Sequence, residues 1–136
     1  MPKILIVDDN AYMRKAMSKL LKHRGHAVDT ACNGREAVIK IIKSEENKQY
    51  YDILITDLMM PDVDGFRLVD LVRKNARPVG IIVISGGGGS FDPKDALGMV
   101  KQKVDQALIK PFKHDDFIIA VETTVKKHWS RMANTL

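Results

Sequence analysis

Asp8, Asp9, Asp57, Ser85 and Lys110 lie far apart along the chain, yet each stands at the end of a short apolar run. Asp8 and Asp9 follow Ile4–Val7, Asp57 follows Asp52–Thr56, Ser85 closes Gly80–Ser85, and Lys110 follows Gln106–Ile109. Three carboxylates brought together repel and raise one another's proton affinity. A hard divalent cation relieves this, and Mg²⁺ favours a few carboxylates with waters and a phosphate oxygen. Aspartate is a competent nucleophile for a phosphoryl group, giving an acyl phosphate. Such a transfer needs positioning and charge neutralisation more than covalent help. The metal would neutralise part of the phosphoryl charge, Lys110 would supply a second positive centre, and the Ser85 hydroxyl could bind a phosphoryl oxygen. Singly, each residue has a plainer explanation: aspartate after a strand is a common turn or cap residue, Ser85 could merely open a loop, and Lys110 could be a surface lysine. Their joint occurrence at strand ends is much harder to dismiss.

The elements that must position these residues are legible as alternating patterns. Lys3–Val7, Asp52–Thr56 and Gly80–Ser85 are near-continuous Ile/Leu/Val runs, as expected of parallel strands buried on both faces. Ala27–Ala31 and Gln106–Ile109 complete the set of strands. Between them, apolar residues recur at helical spacing, as in Met13, Ala16, Met17, Leu20 and Leu21. Ala37, Val38, Ile41 and Ile42, then Phe66, Val69 and Val72, mark the next helices. Ala96, Leu97 and Val100 mark a fourth helix, and Phe117, Ala120, Val121 and Val125 a fifth. Gly25 suits the stop of the first helix, and Asn33-Gly34 and Asp64-Gly65 read as turns opening later ones. The order predicts a doubly wound α/β fold, (βα)5, with an open parallel five-stranded sheet in the flavodoxin-like order 2-1-3-4-5. In such sheets ligands bind beyond the carboxyl ends of the strands, where all the singled-out residues lie.

Val7-Asp8-Asp9, the block Asp57-Leu58-Met59-Met60-Pro61-Asp62-Val63-Asp64-Gly65, Ile84-Ser85-Gly86 and Leu108-Ile109-Lys110-Pro111-Phe112 resemble the signature blocks of bacterial two-component response regulator receiver domains. The resemblance runs from about Pro2 to Lys127 and is of the single-domain, chemotaxis-regulator-like kind. It implies phosphoryl transfer from the phosphohistidine of a sensor histidine kinase, or from a histidine phosphotransfer protein, to Asp57. It implies Mg²⁺ held by Asp9, Asp57 and the main-chain carbonyl of Met59, with Asp8 acting largely through water. Lys110 would contact the phosphoryl group, Ser85 would close on it, and the Lys110-Pro111 bond would be cis. An aromatic residue common in the family three positions before the lysine is replaced by Ala107. Signalling would therefore run mainly through the Gly86–Gly89 loop and the fourth helix, by binding a downstream protein or passing the phosphoryl group on.

A chain of 136 residues suffices for one domain, expected over 1–129, with 130–136 a frayed tail. Cys32 is the single cysteine, so no internal disulfide forms, and the N-terminal apolar run is too short for membrane insertion; a cytoplasmic monomer is expected. The formal charge of +5 is spread over helix faces, including Lys15, Lys19, Lys22 and Arg24, and reads as solvated surface rather than specific nucleic-acid binding. Cys32 reads as packed, and His23, His26, His114 and His128 as surface residues without metal-ligand spacing. A metal-dependent phosphatase on a similar fold is the competing function, but such enzymes commonly carry Asp-x-Asp after the first strand, which the adjacent pair Asp8-Asp9 does not supply. The leading expectation is a stand-alone, single-domain receiver without an output domain; a receiver excised from a longer regulator is a further reading.

Overall fold

The computed structural model describes residues 1–60, 63–74, 77–86, 98 and 100–134. Strands β1 (Lys3–Val7), β2 (Ala27–Ala31), β3 (Ile53–Asp57), β4 (Gly80–Ser85) and β5 (Gln106–Ile109) form one parallel sheet in the order β2-β1-β3-β4-β5. Helices α1 (Ala11–His23), α2 (Gly34–Glu46), α3 (Gly65–Arg73) and α4 (His114–Asn134) pack against it. The expected helix around Ala96 and Leu97 falls largely outside the described residues, although Gly98 and Val100 are themselves helical.

The near-continuous apolar runs have a direct cause. Successive side chains of a strand point to opposite faces, and here both faces are covered. Ile4 and Ile6 of β1, Ile53 and Ile55 of β3, and Ile82 and Ile84 of β4 pack with Met17 and Leu21 of α1 and Phe117 and Val121 of α4. Leu5, Leu54, Ile81 and Val83 pack on the other face with Ala37 and Ile41 of α2 and Leu68 and Val72 of α3. Truncating any such isoleucine to alanine would cost about 2–5 kcal/mol.

Local punctuation sets where α1, α2 and α3 begin. Asn10 caps α1, its Oδ1 accepting from the amides of Tyr12 and Met13 at 2.9 and 3.2 Å. Asn33 caps α2 and Asp64 caps α3 in the same way. Gly25 takes a φ of 89°, the left-handed turn expected after α1.

Four details differ from the sequence expectation. Asp57 is the last residue of β3 rather than the first after it. Residues 130–134, expected to fray, continue α4, because the Arg131 guanidinium is held by the Asp105 carboxylate. Cys32 is exposed, not packed, with its thiol donating to Glu36. His128 is fully buried rather than on the surface, its Nε2 lying 3.0 Å from Asp52 Oδ1, and the His26 side chain is likewise mostly buried against Glu122.

Candidate phosphoacceptor site

Parallel pairing places the carboxyl ends of β1, β3 and β4 side by side, with Val7 opposite Thr56 and Asp57 opposite Ile84. The chain leaving β1 turns into α1 through Asp8, Asp9 and Asn10. Asp8 is fully buried, and its Oδ1 accepts from the Asn10 amide at 2.8 Å, a short turn that fixes the carboxylate over the sheet end. Arg14, one turn into α1, donates from Nη1 to the Asp8 carbonyl at 2.9 Å. Asp57 is 6% exposed, and its Oδ1 accepts from the Met59 amide at 3.0 Å.

Lys110 joins the two buried acids. Its ammonium donates to Asp8 Oδ2 at 2.9 Å and to Asp57 Oδ2 at 3.0 Å. The Lys110 amide donates to the Ser85 carbonyl at 2.7 Å, which registers the lysine against the end of β4. The Lys110-Pro111 peptide is cis, as the resemblance implies, and Phe112 stacks on Phe117 with ring centroids 5.7 Å apart, docking the loop on α4. Gly86 leaves room for the lysine: a Cβ there would lie 2.4 Å from Lys110 Cβ. Gly65 does the same behind Asp57, where a Cβ would sit 2.3 Å from the Asp57 carbonyl oxygen. Ser85 is buried at the end of β4, beside Asp57 in the sheet.

Electrostatics follow from this burial. Desolvation pushes the Asp57 carboxyl above its ordinary range, against the Met59 amide and Lys110, which favour the charged form; the Asp8 charge adds to the upward push. The ion pair alone would lower Asp57, but loss of water prevails there. At Lys110 burial works against the charge, yet hydrogen bonds to Asp8 and Asp57 outweigh it and the ammonium holds its proton more tightly than usual. Carboxylate oxygens of Asp8, Asp9 and Asp57 all lie within 4.8 Å of one another, a spacing and donor type that suit a hard divalent cation.

All the predicted site residues thus stand at one end of the sheet: Asp8, Asp9, Asp57, Ser85 and Lys110, with Met59 half-buried beside Asp57. The glycine run after Gly86 lies outside the described residues. Arg14, which donates to the Asp8 carbonyl, is a further residue of the site that no motif or spacing in the sequence marks.

The response regulator receiver domain family matches residues 4–122. The chain belongs to that family. Protein PilG of Pseudomonas aeruginosa is 32% identical over 125 residues, spanning 90% of this chain and 87% of PilG. Transcriptional regulatory protein ResD of Bacillus subtilis is 29% identical and matches 92% of this chain, which spans about half (48%) of ResD. Among solved structures, a receiver domain from Clostridium thermocellum superposes with a TM-score of 0.78 at 27% identity, covering 93% of this chain and 96% of that one. The family assignment favours the receiver over the competing hydrolase. It also makes the observed strand order that of a flavodoxin-like receiver. Among the described residues no helix of this receiver is long and apolar enough to cross a membrane.

Proposed function

We propose that this receiver accepts a phosphoryl group on Asp57 from the phosphohistidine of a sensor histidine kinase or a histidine phosphotransfer protein. The observation that carries the reading is the Lys110 ammonium set between two buried carboxylates, one of them at the end of a strand. An Asp57 carboxylate oxygen bonds to phosphorus as the P–N bond breaks, and the electron pair returns to the imidazole nitrogen. Asp57 is the acceptor and, together with Asp9 and the Met59 carbonyl and with Asp8 close by, would also hold Mg²⁺. Bound there, Mg²⁺ supplies positive charge for the phosphoryl oxygens.

Lys110 keeps its proton and neutralises a further part of the phosphoryl charge. Ser85, on the neighbouring strand, closes its hydroxyl on a phosphoryl oxygen. The added charge of about −1.5 to −2 is the signal. It leaves the site by binding a downstream protein or by onward phosphotransfer. The chain acts as a signalling phosphoacceptor rather than an enzyme on external substrates, as a monomer in the cytoplasm.

The test is labelling with acetyl phosphate and Mg²⁺, read by intact mass. Wild-type protein gains one phosphoryl group; Asp57→Asn gains none, and omitting Mg²⁺ nearly abolishes the gain. Equal labelling of wild type and Asp57→Asn overturns the assignment.

A further inference from the structure

Among the described residues β2 is one margin of the sheet and pairs with β1 alone. The Ala27 amide donates to Pro2 and the Ala31 carbonyl accepts from Asp8, so these odd-numbered residues turn their peptide groups inward. Peptide direction alternates along a strand. Val28 and Thr30 therefore point their N–H and C=O groups outward, and the Lys40 ammonium already covers one of them, the Thr30 carbonyl.

Some of the basic residues spread through the sequence, Lys15, Lys19 and Lys22 among them, line this margin. A groove beside β2 is lined by Arg14, Lys15, Lys19 and Lys22 of α1 and by Lys40 of α2. Asp29 is the one acid among its described lining residues, and it is engaged by the Tyr51 hydroxyl at 2.7 Å. Cations arrayed beside a sheet margin repel most strands that would add to it. They also select the kind that would be accepted.

We propose that this margin binds an extended acidic segment of a partner protein, which adds as a further strand beside β2. Its backbone pairs with the outward N–H and C=O of Val28 and the N–H of Thr30, whose carbonyl Lys40 holds, the mode in which main-chain bonds give affinity and alternate side chains give specificity. Its carboxylates meet the α1 cations on one face and Lys40 on the other. Nucleic acid fits less well: it would satisfy the cations but offers no strand to pair with the outward peptide groups of Val28 and Thr30. This surface does not depend on the phosphoryl chemistry of Asp57.

The experiment titrates the full chain, at about 0.15 M salt, with a short blocked peptide alternating glutamate and threonine. A lysine–threonine peptide and a short DNA duplex serve as comparators. The acidic peptide is expected to slow amide exchange at Val28 and Thr30 by at least about tenfold, and neither comparator does so. Lys15→Glu combined with Lys19→Glu, both solvent-facing changes, lowers affinity for the acidic peptide about tenfold. Val28→Pro removes one outward N–H at a sheet margin, where proline is tolerated, and abolishes the binding. Binding without protection of Val28 and Thr30, equal affinity for the charge-reversed protein, equal protection by DNA, or no binding of the acidic peptide each overturns the proposal.

Discussion

At the scale of single residues, the site sets stability against reactivity. Asp57 is nearly buried next to a second buried acid, so its charge is expensive where it stands. Asp57→Asn keeps the shape and removes that charge, while Lys110 retains Asp8 as a partner. Without Mg²⁺ at neutral pH, the substitution is expected to raise Tm by about 3 °C, what ~1 kcal/mol gives at this chain length, even as it abolishes labelling. A thermal melt with no rise, or a fall, contradicts this. Metal binding separates the acids by position. Asp9→Ala and Asp57→Ala should weaken Mg²⁺ at least about tenfold, whereas Asp64→Ala should leave it nearly unchanged, because Asp64 caps α3. Mg²⁺ titrations followed through the amide resonances near Asp57 check it, and equal losses in all three variants would speak against the ligand set. Asp8, Asp9, Asp57, Ser85 and Lys110 are legible because they stand where apolar runs end, whereas Met59 enters through the family resemblance alone. Arg14 is not legible, because a hydrogen bond from a side chain to the Asp8 carbonyl leaves no trace in residue type or spacing.

At the scale of elements, β1, β3 and β4 are legible almost residue for residue, since burial on both faces writes itself as unbroken Ile/Leu/Val, while the half-buried β2 and β5 carry only a short, mixed signal. Helix starts were legible from Asn33-Gly34 and Asp64-Gly65. The end of α4 was not, because Arg131 and Asp105 are distant in sequence and a polar final turn looks like a tail. Two glycines test how closely the elements are fitted. Gly65→Ala would drive a methyl group into the backbone of Asp57 and Leu58. It is expected to destabilise by roughly 1–3 kcal/mol, seen as a lower urea midpoint. Gly86→Ala instead meets Lys110 at its Cβ, 2.4 Å away and fixed to the backbone, so the segment that carries the lysine must shift. That variant is expected to stay folded but to phosphorylate about tenfold more slowly, because the displaced ammonium no longer spans Asp8 and Asp57. Wild-type phosphorylation by Gly86→Ala would show that the close approach has no role.

At the scale of the whole molecule, α4 is fastened to the opposite rim of the sheet from the phosphoacceptor. His26, Asp52 and Asp105 stand immediately before β2, β3 and β5, and they hold Glu122, His128 and Arg131 of α4. Burial alone would raise the Asp105 carboxyl, but the Arg131 guanidinium, the Ile81 amide and Arg73 outweigh it and hold it below its usual range. A carboxyl whose folded pKa lies below its unfolded value stabilises the fold above the unfolded value of about 3.9. That contribution disappears as pH falls through the folded value. Asp105→Asn should therefore lose about 1–2 kcal/mol at pH 7 and differ little from wild type once both are well below the carboxylate range. Urea melts across that span check it; a constant gap down to the lowest pH would contradict it. The same fastening has a practical side. A helix of 21 residues rises about 31 Å, so it carries the chain from the Lys110-Pro111 loop to the far rim. A fluorophore or surface linker attached after Asn134 would emerge on the side away from Asp57, and protein immobilised through it would present its acceptor outward to a phosphodonor flowing past.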